Sequence, residues 1–290
     1  MKLGVVFPQT EIGSDPVALR DYAQAVEGLG YDYILTYDHV LGASTENRPG
    51  WSGYSSEDQF HEPFVLFGYL AGCTRTLAFA TGVLVLPQRQ TALVAKQAAE
   101  VDILSNGRLR LGVGVGWNAV EYQGLNADFR TRGARMDEQV TVLRALWTEE
   151  VVTFKGQWHA IDVAGINPLP VQRPIPIWFG GETEPALRRT ARLGDGWIAL
   201  GAPNEERRSM IARLHTYLHE AGRTPQDLGI ESHIVMAHGN EATWAAEAAD
   251  WAALGATHLC ISTMNMGFRS VQEHIEAVRR MKPIVNATQA

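Results

Sequence analysis

Residues 77–118 read LAFATGVLVLPQRQTALVAKQAAEVDILSNGRLRLGVGVGWN and contain a strand, a helix and a second strand in succession. Leu77 to Leu84 is apolar at nearly every position, the pattern of a strand covered on both faces rather than of one with a wet side. Thr91 to Leu104 reads as a helix, Ser105-Asn106-Gly107 stops it, and Arg108 to Val113 resumes as strand.

The same alternation extends outward to both ends of the chain. Upstream lie strand Leu3–Phe7, a helix opened by Asp15-Pro16 and closed by Gly30, strand Tyr33–Thr36, and a helix over residues 61–74. Downstream, a helix carries Met136, Val140, Leu143 and Trp147 on one face, and an insertion around Lys155-Gly156 reads as a hairpin. Strands then fall at Ile175–Phe179, Trp197–Leu200, Ile230–Met236 and Thr257–Ser262, with helices at 184–193, 204–221 and 241–253. A last helix opens on Ser270 and Glu273 and runs to about Met281. Eight strand–helix units in 290 residues match the size of a (β/α)8 barrel, with a doubly wound sheet as the alternative. No linker-like stretch divides the chain, so residues 1–290 read as one domain with insertions. From Gly42 to Gln59 the composition turns to Gly, Ser, Asn and Pro, which marks a long mobile loop.

Lys and Arg number 25 against 32 Asp and Glu, giving a net charge of −7 and a pI near 5.7. Such a chain has no general attraction to nucleic acid or to anionic membranes. Cys73 and Cys260 are far apart in apolar stretches and read as buried thiols of a reducing compartment. The opening MKLGVVFPQT is too short for a signal segment, which places the protein in the cytoplasm.

In a barrel the chemistry lies at the C-terminal ends of the strands. Here those ends carry Phe7-Pro8-Gln9, Tyr37-Asp38-His39, Leu86-Pro87-Gln88-Arg89, Gly112 to Asn118, and Phe179-Gly180-Gly181-Glu182. Gly112, Gly114 and Gly116 do not make a dinucleotide fingerprint, because Trp117 stands where the third glycine belongs. They either let a flat ligand approach the backbone or simply end a strand. Gly180 to Thr183, directly before a helix, is either an anion site or an ordinary tight turn, and Arg188 and Arg189 follow one turn later. His39 at a strand end is suited to proton transfer near neutral pH. No HExxH or Cys/His cluster marks a metal site, and no GxSxG or Walker loop is present.

KLGVVFPQT, YILTYDHVL, the stretch from ATGVLVLPQRQ to GWNAVEYQGL, and FGGETEPALRRTARLGDGWIAL resemble the bacterial luciferase-like oxidoreductases, above all their coenzyme F420-dependent branch. The resemblance spans roughly residues 1–265, with four motifs in the family's order. It implies a luciferase-like (β/α)8 TIM barrel with a flavin or deazaflavin across its mouth, and a non-prolyl cis peptide at Gly82–Val83. Carried over residue by residue, it places Phe7, Asp38, His39, Thr81, Gly82, Val83, Gly114, Gly116, Trp117 and Asn118 around the cofactor, with His39 as the catalytic residue, a proton donor or stabiliser. Gly180, Gly181, Glu182 and Thr183 then hold the cofactor phosphate, and Arg89, Arg132 and Arg135 meet its acidic tail. Trp117 replaces a glutamate of the sugar-phosphate dehydrogenase branch, which argues against sugar-phosphate oxidation. With Trp51 and Tyr54 of the long loop, Trp117 forms an aromatic lid suited to a small hydrophobic substrate.

The expected reaction is hydride transfer between coenzyme F420 and an organic substrate. An FMN-dependent monooxygenase is the nearest alternative, followed by a barrel that binds a flavin or deazaflavin without catalysis. A carboxylate hydrolase using Glu121, Asp102 or Glu182 lacks a convincing pair at the strand ends. The resemblance also implies a homodimer with small-molecule partners.

Overall fold

The computed structural model describes residues 1–287, so positions 288–290 of the expected domain lie outside the described residues. Strands are β1 (Lys2–Val6), β2 (Tyr33–Thr36), β3 (Ala78–Thr81), β4 (Leu84–Val85), β5 (Leu109–Gly114), β6 (Val152–Lys155), β7 (Ala160–Ala164), β8 (Ile177–Gly180), β9 (Gly196–Ile198), β10 (Gly229–Val235) and β11 (His258–Ser262). Helices are α1 (Pro16–Gly28), α2 (Pro63–Cys73), α3 (Thr91–Leu104), α4 (Ala119–Gly124), α5 (Arg132–Thr148), α6 (Glu184–Leu193), α7 (Glu205–Glu220), α8 (Glu241–Ala253) and α9 (Val271–Ala287).

The nine-stranded sheet has the order β3-β2-β1-β11-β10-β9-β8-β5-β4, and β3 also pairs with β5, which closes it. β3 and β4 are one strand interrupted at Gly82-Val83, so the barrel is eight-stranded, parallel throughout, and the doubly wound alternative is excluded. Strand three therefore differs from the single run expected from sequence, and α9 continues past Met281 to Ala287 with Pro283 inside it. β6 and β7 form the expected antiparallel hairpin outside the barrel. Cys260 is buried and Cys73, expected to be so, is only half-buried; both are free thiols. Among the described residues no helix is long and apolar enough to cross a membrane.

Strand residues alternate between the helix layer and the barrel interior. Helix-facing side chains such as Val5, Ile34, Phe79, Leu111, Ile177 and Ile261 join the main core. The interior is graded in size. At its base the Arg110 guanidinium lies between the rings of Tyr33 and Trp178, 4.7 and 4.2 Å from their centroids. Gly4, Gly196 and Gly229 make room for these rings: a Cβ on any of them would sit 2.1–2.4 Å from Tyr33 or Trp178. Arg110 pairs with the buried Glu231, whose other oxygen is 3.2 Å from His233 Nε2. Burial alone would raise the Glu231 pKa, but Arg110 and His233 outweigh it and hold it down at about 2. Above this lie Val6, Leu35, Ala80 and Cys260. At the C-terminal mouth the strands present Gly82, Gly114 and Gly180.

Arg110→Met should destabilise the protein by about 3–5 kcal/mol, because it strands a buried carboxylate. Adding Glu231→Gln should recover part of that loss in urea denaturation. Strictly additive losses would mean that the pair does not hold the barrel base.

Candidate functional site

The barrel mouth is shaped by Val83. The Gly82–Val83 peptide is cis, as the family resemblance implied. A Cβ on Gly114 would lie 2.3 Å from Val83 Cγ2, and one on Gly180 would lie 2.8 Å from Val83 Cγ1. The valine side chain thus occupies space given up by two glycines, and the flanking strands present bare backbone towards the mouth. Thr81 ties the wall together, its hydroxyl donating to the Gly112 carbonyl at 2.6 Å.

Beside this floor stands His39. Its Nδ1 is 3.5 Å from Oε2 of Glu121, which is almost fully buried. The other oxygen, Oε1, accepts the backbone N–H groups of Val40 and Leu41. Asn118 positions this carboxylate by capping α4, its side-chain oxygen accepting from the N–H of Val120 at 3.1 Å and of Glu121 at 3.3 Å. Burial would raise the Glu121 pKa, but His39 and the two N–H donors outweigh it and lower it. Glu121 therefore remains a carboxylate, the partner that orients an imidazole through Nδ1–H and leaves Nε2 free to exchange a proton.

Aromatic rings surround the histidine. Phe60, Tyr54 and Trp117 pack on His39 at centroid distances of 4.8, 5.3 and 5.9 Å, and Trp51 lies 5.6 Å from Trp117. The expected mobile loop is tied down where it forms this wall. Ala43 bridges Ser55, Asp58 accepts from the Ser55 N–H at 2.7 Å, and Trp51 Nε1 donates to the Tyr54 carbonyl at 3.1 Å. Gly53 has φ +95°, and a side chain there would collide with Trp117.

A cleft of about 310 Å³ adjoins the floor at the N-terminus of α6, lined by Gly180, Gly181, Thr183, Arg132 and Arg189 among others. Thr183 is the N-cap but makes no side-chain cap hydrogen bond; Pro185 has no N–H and the Ala186 N–H donates to the Thr183 carbonyl, so the Glu184 N–H is the first-turn donor left for an anion. Gly181, at φ +117°, makes the turn into the helix. Arg189 spans Asp137 and the Gly133 carbonyl, whereas Arg188 turns away to Glu184 and Glu220. Glu182 lies 3.0 Å from Arg207.

Other expected site residues have structural partners. The Asp38 carboxylate accepts from Arg89 Nη2 at 2.7 Å and from the Val85 N–H at 2.9 Å, which ties β2 to the segment after the cis bond. Arg89 also pairs with Glu62 at 2.9 Å, so the guanidinium assigned to an acidic tail is held between two carboxylates of the protein. Phe7 is buried with its ring against Tyr22, 5.7 Å between centroids, on the helix side of β1. Gly116 takes φ +66°, where a Cβ would meet Val85. Arg132 reaches the α6 cleft, while Arg135 lines a different one. Sequence reading missed two contributors, Glu121 as the partner of His39 and Phe60, while Tyr37 of the strand end packs on the interior residues. Only Glu121 had a readable signal, its position three residues after the N-cap Asn118. Glu231, His233 and Cys260 bring ligand-type atoms within 4.8 Å of one another, but Arg110 already takes the Glu231 charge, and its guanidinium opposes a cation there.

A closed parallel barrel with a glycine-walled mouth, a helix N-terminus at its rim and a buried carboxylate behind a histidine defines the class, a (β/α)8 barrel with its candidate site at the C-terminal ends of the strands. The chain is a member of the luciferase-like monooxygenase family, which it matches over residues 1–283. It is 39% identical over 239 residues to an uncharacterized protein of Mycobacterium tuberculosis, covering 80% of this chain and 81% of that one. An F420-dependent hydroxymycolic acid dehydrogenase of the same organism is 28% identical over 251 residues, 86% of this chain and 66% of the relative. An FMNH2-dependent dimethylsulfone monooxygenase of Pseudomonas fluorescens is 31% identical over 185 residues, 63% of this chain and 47% of the relative. Among solved structures, an F420-dependent secondary alcohol dehydrogenase in complex with an F420-acetone adduct superposes with a TM-score of 0.78 at 19% identity, over 98% of both chains.

The lowered Glu121 pKa has a definite pH consequence. A depressed folded-state pKa contributes stability above the unfolded value, and that contribution is lost as pH falls through the folded value. Glu121→Gln should flatten the acid limb of the stability curve below about pH 4.3, the ordinary glutamate value. An acid limb identical to wild type would show that the carboxylate is not held by His39 and the loop amides.

Proposed function

We propose that the protein is a coenzyme F420-dependent oxidoreductase acting on a small apolar substrate. The observation that carries this reading is the continuity of the mouth. Val83 touches Gly180 at the α6 cleft, Val115 lines the same cleft, and Trp117, two residues on, packs against His39. One surface thus runs from an anion site, across bare backbone, to a proton-exchanging group. Val83 fills the space that side chains at Gly114 and Gly180 would take, which leaves one valine against bare backbone as the floor, a surface that suits a planar ring.

When bound, the deazaflavin supplies a carbon that gives or accepts a hydride. The α6 N-terminus with Gly181 and Thr183 holds its phosphate, helped by Arg132. Val83, backed by Gly114 and Gly180, would form the surface on which the ring is held. His39 gives or takes the substrate proton at Nε2 while Glu121 holds the ring orientation and balances the imidazolium charge. Trp51, Tyr54, Phe60 and Trp117 supply an apolar wall that favours a substrate with little charge and excludes water. The larger share of this chain matched by the F420-dependent relative supports the deazaflavin over FMN. FMN-dependent monooxygenation is the second reading, favoured by the FMNH2-dependent relative. Exposed Val65 and Tyr69 on α2 and Leu93 and Leu104 on α3 support a homodimer formed through these helices.

Titration with coenzyme F420 and with FMN, followed by cofactor fluorescence, separates the readings. Tighter F420 binding is expected, and a preference for FMN would favour the monooxygenase. Gly114→Ala should weaken binding of the preferred cofactor by about tenfold or more, since its Cβ displaces Val83. His39→Ala should slow turnover by about 10²–10⁴-fold with cofactor affinity retained. Full activity in that variant would remove His39 from the mechanism.

A further inference from the structure

Two tyrosine hydroxyls at the barrel mouth have no use inside the protein. The inward residues of β2, Tyr33 and Leu35, are followed two positions on by Tyr37, whose ring packs on the same interior residues. Asp38 turns the other way, to Arg89, and His39 comes next at the mouth. The Tyr37 backbone is fixed, its carbonyl accepting from Nε2 of the buried Gln9 at 2.9 Å. Among the described residues its hydroxyl has no hydrogen-bond partner. The equally unpartnered Tyr33 hydroxyl, lower in the barrel, is sealed from solvent, whereas that of Tyr37 is not.

Tyr54 meets this group from the long loop. Its ring packs on His39 and Phe60, 5.3 and 4.7 Å between centroids, and its hydroxyl is likewise open and unpartnered among the described residues. Burial pushes the Tyr37 phenol up, followed by Cys260 and Tyr54, which places it between the interior thiol and the loop tyrosine. Burial raises the Tyr54 phenol too, followed by Asp58 and Glu11. Both phenols therefore stay protonated and able to donate.

The carboxylates around them are engaged elsewhere. Glu121 lies behind His39, Asp38 holds Arg89, and Asp58 accepts the Ser55 N–H at 2.7 Å. Glu11 accepts the Asn265 N–H at 2.6 Å and lies 3.5 Å from His274 Nε2. A ligand against the apolar rings thus meets hydroxyl and imidazole groups, and a cationic ligand finds no free counter-charge.

We propose that Tyr37 and Tyr54 donate hydrogen bonds to one oxygen of the substrate, which is a neutral carbonyl compound or the alcohol related to it. This rests on the reading of the mouth as an oxidoreductase site, and adds two specificity-determining residues to His39. The phenols hold the oxygen, and the apolar remainder of the substrate lies against Phe60 and Trp117.

Isothermal titration with acetophenone and α-methylstyrene tests this, in the protein alone and with oxidised coenzyme F420 added. The probes share one shape, with C=O in the first where the second has C=CH2, and only the ketone accepts a hydrogen bond. Acetophenone should bind about tenfold tighter or more. Tyr37→Phe and Tyr54→Phe should each cut acetophenone affinity by about three- to tenfold and leave α-methylstyrene unchanged, whereas a packing role alone would weaken both probes alike. Thermal melts establish that each variant is folded; if Tyr37→Phe is not, Tyr54→Phe on the loop decides. Failure of coenzyme F420 to bind would remove the cofactor reading, and the preference for acetophenone in the protein alone would still support the two phenols. Equal affinity for the two probes, no heat with acetophenone in either form, or a preference undiminished in the folded variants would each overturn the proposal.

Discussion

The side chain of Val83 occupies space that side chains on Gly114 and Gly180 would otherwise take, and the geometry of the mouth depends on that exchange. A barrel interior must be filled to pack, and small barrels fill it with layers of side chains. Here the filling is uneven. Tyr33, Arg110, Trp178 and Glu231 crowd the base, whereas one valine, delivered by an interrupted strand, closes the top. The Gly82 N–H still donates to the Thr36 carbonyl at 2.7 Å, and beyond the cis bond Asp38 takes over from the ladder by accepting the Val85 N–H while gripping Arg89. Asp38 therefore serves the site through backbone placement, although it adjoins His39 in sequence.

The base of the barrel makes this arrangement tolerable. Burying Arg110 and Glu231 is costly for each charge alone, and the pair is sustained by two aromatic faces and by His233. Because the polar cluster lies at the N-terminal end of the strands, its charges do not face the apolar wall around His39. The other buried carboxylate, Glu121, lies at the open end behind a histidine. The two clusters also differ in the group each carboxylate meets: a guanidinium for Glu231, an imidazole for Glu121.

The fold was legible because its signals are local. Apolar runs of strand length, Asp15-Pro16 and Ser105-Asn106-Gly107 specify their elements through caps and periodicity, and the structure places those elements within a few residues of expectation. The strand ends with unusual residues, Tyr37-Asp38-His39 and Gly112 to Asn118, were equally visible. What stayed hidden was pairing across space. His39 and Glu121 are 82 positions apart, and Phe60 sits in a stretch whose composition reads only as loop. Phe7 shows the reverse case: it follows β1 at the mouth, yet strand alternation turns its ring outward to Tyr22.

The same reasoning separates the arginines that sequence grouped together. Arg132 and Arg135 are three apart, which on a straight helix makes them near neighbours on one side. The clefts on α5 nonetheless divide them. Arg132 lies with Gly133 and Met136 towards α6, and Arg135 lies with Gln139 and Val142 towards α3. Each guanidinium therefore adds to the positive end of a different helix, and a ligand drawn to one does not have to engage the other.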